Sequence, residues 1–241
     1  MKFTVLTLFP EFVASFKNYS IMGKAVEKGL IHLNTVDIRS YARNKHHNVD
    51  DYVYGGGPGM VIQAQPVVEA IEKNRGWSGR VIYLSPRGKT LNQQKVEELA
   101  REEHLVLLNG HYEGIDERAM AYVDEEISIG DYVLSGGEVA SLVLMDAVAR
   151  YVPGVLGNEG STEEESHASG LLEHPQYTRP YDFRGYKVPE ILLSGNHKLI
   201  QEYRRRESLR VTYERRPDLL EEAALSKKER QYLDSLRDQE A

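Results

Sequence analysis

The 241-residue chain contains no cysteine and a single tryptophan. Without cysteine there is no disulfide framework, no thiolate metal site and no cysteine nucleophile, a composition suited to a reducing cytosol. Long apolar runs are missing too: no stretch approaches the ~20 residues a membrane helix requires. The opening Met1-Lys2-Phe3-Thr4-Val5-Leu6-Thr7-Leu8-Phe9-Pro10 has too short an apolar run for a secretory leader, and no small-residue cleavage site follows. The expectation is a soluble, cytoplasmic protein with no membrane partner. Positive charge is also short, with 30 Lys+Arg against 37 Asp+Glu for a net −7. Such a chain does not grip nucleic acid indiscriminately. What positive charge there is clusters: Arg179 to Arg216 holds ten Lys/Arg against five Asp/Glu, a local +5, whereas residues 159–165 hold four glutamates and no base. The cluster reads either as a solvated, salt-bridged helix face or as a specific anion-binding region.

What is present divides the chain in three. Through residue 150, strand-like runs (Phe3–Phe9, Leu30–Ile38, Val81–Leu84, Leu105–Leu108 and a weaker one near Glu126–Ile129) alternate with helix candidates. Those helices are Met22–Lys28, Pro66–Lys73, Asn92–Glu103 and Glu138–Arg150. Pro66 suits a first helical position and Gly29 a helix stop. The fourth helix is apolar almost all round (Val139, Leu142, Val143, Leu144, Ala147, Val148) and should be largely buried. Strands alternating with helices predict an α/β domain with a mainly parallel sheet over residues 1–157. Residues 158–172 are poor in apolar side chains and predict a flexible linker. Residues 173–241 show no strand alternation and predict a small all-α domain. There Asn196 caps one helix, Pro217 starts another, and Ser226 with Glu229 forms a capping box.

Four glycine-rich segments interrupt the α/β part, three of them directly after strand candidates: Tyr54–Met60, Leu84–Gly88, Asn109–Arg118 and Ile129–Glu138. Loops at the carboxyl ends of parallel strands are where open sheets bind ligands. Glycine there lets backbone groups approach a ligand without a Cβ in the way. Familiar nucleotide signatures nevertheless fail. Gly88-Lys89-Thr90 resembles the end of a phosphate loop, but Tyr83 stands where its first glycine belongs, and no G-x-G-x-x-G spacing occurs. Neither H-E-x-x-H nor G-x-S-x-G is present, and the eight histidines are scattered. The residues by themselves reach an α/β enzyme with a backbone-lined nucleoside pocket and a basic helical arm.

Taken together, Tyr54–Met60, Asn109–Arg118 and Ile129–Glu138 closely resemble motifs of the bacterial tRNA (guanine-N1)-methyltransferases, of the knotted methyltransferase class. So do Val49-Asp50-Asp51, Asp146–Arg150, Pro153–Leu156, Gly170-Leu171-Leu172, Tyr177–Pro180, Leu192–His197 and Arg215-Arg216-Pro217, in order, from Phe9 to about Leu220. The resemblance implies a C-terminal trefoil knot in the α/β domain, a homodimer with an active site shared between subunits, and S-adenosylmethionine as methyl donor. It places the donor among Tyr83, Leu84, Ser85 and Pro86, then Gly110, Tyr112, Glu113 and Gly114. Ile129, Gly130, Asp131, Tyr132, Val133, Leu134, Gly136 and Gly137 complete the set. The substrate implied is the guanine immediately 3′ of the tRNA anticodon, with the anticodon stem-loop as partner.

Guanine N1 carries a proton at neutral pH. Its methylation needs a base for that proton and a cation for the charge moving onto O6. The resemblance assigns the cation to Arg150 and the base to Glu165, where the family commonly has aspartate. Glu163 and Glu164 leave the identity of the base open. Ala140 and Glu173 are lesser departures, at positions where relatives often have proline and aspartate. His46, Asp50 and Gly59 lie in loops expected to line the base pocket. Lys198, Arg204, Arg205, Arg210, Arg215 and Arg216 are candidates for phosphate contacts, with Tyr203 and Tyr213 assigned to the core. The resemblance also implies dependence on magnesium, for which the sequence offers no ligand set, so no metal ligand is named. Three alternatives remain at this point: a ribose 2′-O-methyltransferase of the same class, a non-enzymatic RNA-binding protein on that fold, and a small-molecule nucleoside enzyme.

Overall fold

A computed structural model describes residues 1–157, 165–167 and 170–240. The chain divides into two compact units, Met1–Glu159 and Gly160–Ala241. In the first, the strands are β1 (Lys2–Thr7), β2 (His32–Asp37), β3 (Asp50–Tyr52), β4 (Met60–Ile62), β5 (Arg80–Thr90), β6 (His104–Asn109) and β7 (Glu125–Ser128). Its helices are α1 (Pro10–Ser15), α2 (Ser20–Glu27), α3 (Ala64–Asn74), α4 (Gln93–Leu99) and α5 (Glu138–Ala149). Five strands form one sheet in the order β2-β1-β6-β5-β7, and every pairing in it is parallel. The expected mainly parallel α/β architecture is therefore present, while β3 and β4 make a separate antiparallel hairpin.

The continuous apolar runs arise because the central strands are buried on both faces. Side chains alternate across a strand. Phe3 and Val5 of β1, Ile82 and Leu84 of β5, and Leu105 and Leu107 of β6 therefore meet α2, α4 and α5 on one side. Leu6, Val81, Tyr83, Val106 and Leu108 meet α3 on the other.

Several boundaries differ from the sequence reading for local reasons. Helix α3 begins at Ala64, two residues before Pro66. Proline is tolerated there because the first-turn N–H groups have no helical partner to lose. Helix α4 starts where expected, Asn92 accepting from Lys95 N at 2.9 Å. It stops at Leu99, its last core side chain, rather than at Glu103. The largest difference is in α5: Val139 and Val143 are 47 % and 44 % exposed, so one stripe of an otherwise buried helix has no cover from the described residues of its own unit.

The second unit holds β8 (Asp182–Phe183), β9 (Tyr186–Lys187), α6 (His197–Arg215), α7 (Leu219–Glu222) and α8 (Lys227–Glu240). The expectation of an all-α unit is corrected here, because β8 and β9 pair antiparallel. Two residues per strand are too few to show alternation in a sequence. Both anticipated caps form. Asn196 accepts from Leu199 N at 3.3 Å. Ser226 N donates to Glu229 Oε2 at 2.7 Å while Glu229 N donates to Ser226 Oγ at 3.4 Å. Leu171, Leu209 and Leu233 make the core, with Tyr213 packed against it. Leu171 falls inside the stretch read as a linker, yet it is buried, and Leu172 N donates to Thr212 Oγ1 at 2.9 Å. Residues 158–164 and 168–169, and with them Glu163 and Glu164, lie outside the described residues.

Candidate active site

Because β5, β6 and β7 are neighbours and parallel, the chain leaves all three at the same edge of the sheet. The segments after their carboxyl ends enclose a cavity of about 330 Å³, within the usual range for small-molecule sites. It takes in fifteen of the sixteen residues expected to hold the methyl donor: all but Asp131, which is exposed in the loop after β7. Arg87, His111, Ile115, Ile127, Ser128, Ser135 and Ala140 also line it and were not anticipated. Arg87, His111, Ile115 and Ser135 lie inside the quoted glycine segments, so reading those loops as whole walls would have found them.

The walls are built by close approach. A Cβ on Gly110 would lie 2.7 Å from Tyr83 Oη, and one on Gly137 would lie 2.9 Å from the Asn109 backbone. Tyr112 holds φ +58, a left-handed conformation that non-glycine residues rarely adopt. Its loop is braced by Asp116, which accepts from Arg118 N, Nε and Nη2 at 3.0, 2.9 and 2.7 Å. Those bonds, from the Arg118 side chain first, hold the Asp116 carboxyl below the usual aspartate range. Burial, then the charge of Glu126, pushes the Tyr83 hydroxyl up, so it stays protonated as a donor. His111 Nδ1 is buried without a hydrogen-bond partner.

Behind the cavity, α5 is pinned to the sheet by Glu138, a buried carboxylate in its first turn, where the helix dipole favours negative charge. Thr7 Oγ1 donates to Glu138 Oε1 at 2.7 Å and accepts from Phe9 N at 2.9 Å. Valine at position 7 keeps the shape and removes both bonds. Thr7→Val is expected to cost about 2–3 kcal/mol, the usual result of stranding a buried charged acceptor. Urea denaturation checks it, and an unchanged midpoint would show that Glu138 has another donor.

The other expected site residues are more dispersed. His46 is exposed, and Asp50 lies in β3 rather than in a loop, paired with Ile62. Gly59 comes nearest the cavity: a Cβ there would run into the Glu113 side chain at 2.4 Å, and Glu113 N donates to Met60 O at 3.0 Å. None of the three lines the cavity. Arg150 caps the carboxyl end of α5 and is half-buried, and Glu165 is half-buried in the second unit. Of the phosphate candidates, Arg205 pairs with Glu229 at 2.6 Å. Arg210 pairs with Glu207 and Glu214, both at 2.7 Å, and Arg216 with Asp218 at 2.6 Å. Lys198, Arg204 and Arg215 make no ion pair among the described residues. Tyr203 is half-buried, its hydroxyl pushed up to about 12 by burial first and then by the charge of Glu207.

A glycine-lined cavity at the carboxyl edge of adjacent parallel strands marks an α/β protein with a pocket where open sheets take their ligands. The family model described as tRNA (Guanine-1)-methyltransferase TrmD matches residues 1–222. A protein of Clostridium perfringens (strain SM101) named tRNA (guanine-N(1)-)-methyltransferase is 54% identical over 239 residues, covering 98% of this chain and 100% of the relative. Proteins of the same name from Bacillus cereus (strain AH820) and Bacillus anthracis (strain CDC 684) are each 54% identical over 242 residues, covering 99% of both partners. The chain belongs to the tRNA (guanine-1)-methyltransferase family.

Proposed function

We propose that this chain transfers a methyl group from S-adenosylmethionine to N1 of the guanine immediately 3′ of the tRNA anticodon. It is a tRNA (guanine-N1)-methyltransferase, and the observation that carries this is the family match across residues 1–222. The proposal extends it to the target position, to the residues, to a trefoil-knotted backbone in the first unit and to a cytoplasmic setting. It retains the divisions 1–157, 158–172 and 173–241 as cofactor domain, tether and tRNA-binding domain, with Leu171 and Leu172 moved from the tether to the last.

The cavity fits the donor. Close-packed glycines keep its walls to backbone, the buried Nδ1 of His111 is unanswered, and the volume suits a nucleoside. When bound, S-adenosylmethionine supplies an electrophilic methyl on a cationic sulfur. Tyr83–Pro86, Gly110, Tyr112–Gly114, Ile129–Leu134, Gly136 and Gly137 would hold it. Glu165 takes the N1 proton of guanine, turning a poor nucleophile into a good one. Arg150 meets the negative charge that then moves onto O6. His46, Asp50 and Gly59 orient the base, and Lys198, Arg204, Arg205, Arg210, Arg215 and Arg216 meet the phosphates of the anticodon stem-loop. No group of three or more His, Asp or Glu able to hold a metal occurs among the described residues, so no residue is assigned to magnesium.

A homodimer with a shared site is supported by α5. Val139, Val143, Asp146 and Arg150 recur at helical spacing on one face, and both valines are uncovered. A second copy seated on that stripe would bring its own residues to Arg150. Val143→Lys is expected to shift the protein to monomer by sedimentation and to reduce methyl transfer at least tenfold, as a charge in an apolar interface does. A fully active monomer would remove the shared site.

Methyl transfer to an unmodified anticodon stem-loop, followed by nuclease digestion and mass spectrometry, tests the function. N1-methylguanosine 3′ of the anticodon is the expected product. A methyl on ribose would favour the 2′-O-methyltransferase alternative.

A further inference from the structure

The phosphate candidates on α6 leave a question about how the second unit holds RNA, since Arg205, Arg210 and Arg216 are already answered by carboxylates. The hairpin β8–β9 offers different chemistry. Its register sets Phe183 directly opposite Tyr186, so the two rings leave one face side by side. Neither is covered: Phe183 is 60 % exposed and Tyr186 83 %. The Arg184 guanidinium carbon sits 5.3 Å from the centre of the Phe183 ring. Arg184 and Gly185 hold φ +57 and +88, the backbone of a tight primed turn. A non-glycine residue in that conformation is strained, and strain of this kind gathers where a side chain must be presented. Asp182, the one carboxylate of the hairpin, is occupied inside the turn, accepting from Gly185 N at 2.9 Å. Arg184 and Lys187 make no ion pair among the described residues.

At the base of the hairpin Val188 N donates to Tyr181 O at 2.9 Å. Tyr181 and Val188 also line a cavity of about 530 Å³, together with His174, Arg179 and Arg204. His174 Nδ1 is buried there with no hydrogen-bond partner. Exposed paired rings, unanswered cations and a cleft beside them that carries Arg179 and Arg204 match the needs of an unpaired RNA strand. Bases stack on aromatic faces and on guanidinium planes, while phosphates are met by Arg and Lys. A duplex would show only its backbone and would have no use for the rings.

We propose that the β8–β9 hairpin is a stacking platform for unpaired bases of the tRNA substrate, with Phe183 and Tyr186 as its faces, Arg184 and Lys187 as its cations, and the cleft at Arg179 and Arg204 taking the adjoining backbone. This rests on the proposed tRNA substrate and adds the residues that grip it outside the methyl-transfer site.

The test uses the full-length protein and an unmodified tRNA transcript. Phe183→Ala with Tyr186→Ala raises the tRNA Kd about a hundredfold, roughly tenfold for each stacked base lost. S-adenosylmethionine affinity by calorimetry is unchanged, and KM for tRNA rises while kcat at saturating tRNA holds. Phe183→Tyr with Tyr186→Phe restores binding, since either ring stacks. Arg184→Gly relieves the left-handed strain, so it folds at least as well as the parent, yet binds more weakly and with a shallower salt dependence. An unchanged tRNA Kd in both the double alanine and the glycine variant overturns the platform. So does dissociation of an oligomer by the double alanine variant with tRNA affinity intact, which would give the face to a second copy. If the parent protein methylates guanine N1 but the variants bind normally, only the platform falls. A parent that leaves tRNA unmethylated removes the reading beneath it.

Discussion

Glu165→Gln is expected to bind S-adenosylmethionine normally and to lose methyl transfer by about 10²–10⁴-fold at neutral pH, the usual contribution of a positioned general base. The substitution keeps size and polarity and removes only the ability to accept a proton. Guanine N1 keeps its proton at neutral pH, so nothing else in the scheme can replace that step. Single-turnover transfer with saturating protein isolates it from binding and release. Arg150→Ala should produce a companion loss of about 10²–10³-fold by leaving the O6 charge unanswered. Because base and cation act on one transition state, the double variant should fall well short of the product of the two losses. A near-normal rate for Glu165→Gln would move the base elsewhere. Glu163 and Glu164 are then candidates, and so is Glu173, whose backbone N donates to Ser166 Oγ at 2.9 Å, next to Glu165 in the chain.

The sequence disclosed some parts of this molecule and concealed others for physical reasons. The central strands β1, β5 and β6 were legible because burial on both faces writes an unbroken apolar run, as in Leu105–Leu108. The two hairpins were not. Asp50–Tyr52 and Asp182–Phe183 are too short to alternate, and their turns are specified by glycines at positive φ rather than by hydrophobic pattern. The caps of α6 and α8 were readable because a cap is a local hydrogen bond between a named side chain and a backbone N–H three residues on. The uncovered stripe at Val139 and Val143 was not readable, since an apolar position does not say whether its cover comes from the same chain. Within the site, glycine spacing located the three loops, but residue roles came from family resemblance. No pattern of charge or spacing marks Glu165 apart from its acidic neighbours. The arginines of α6 mislead in the opposite direction: of the ten Lys/Arg from Arg179 to Arg216, Arg205, Arg210 and Arg216 are already engaged by carboxylates.

The largest structural effect is expected from one methyl group. Leu84 and Lys89 of β5 both stand opposite Ile127 of β7, so Ser85–Gly88 is looped out between two pairings with the same residue. The excursion carries Ser85, Pro86 and Arg87 into the cavity wall and returns the chain hard against β7. A Cβ on Gly88 would sit 2.5 Å from both the Glu126 carbonyl carbon and the Ile127 nitrogen. Both atoms belong to a paired strand backbone, which cannot swing aside as a side-chain tip can. Gly88→Ala is therefore expected to cost at least about 3 kcal/mol, the upper range for overpacking. For a unit of this size that lowers Tm by roughly 6–12 °C. S-adenosylmethionine affinity should fall with it, because relief of the clash must displace the wall. Gly157→Ala is the control: no atom of the described residues lies within 4 Å of its added Cβ, so its stability should stay within about 0.5 kcal/mol of the parent. Equal melting temperatures for the two variants would mean that β5 and β7 separate easily, and the cavity could not then owe its shape to the tight return of the chain at Gly88.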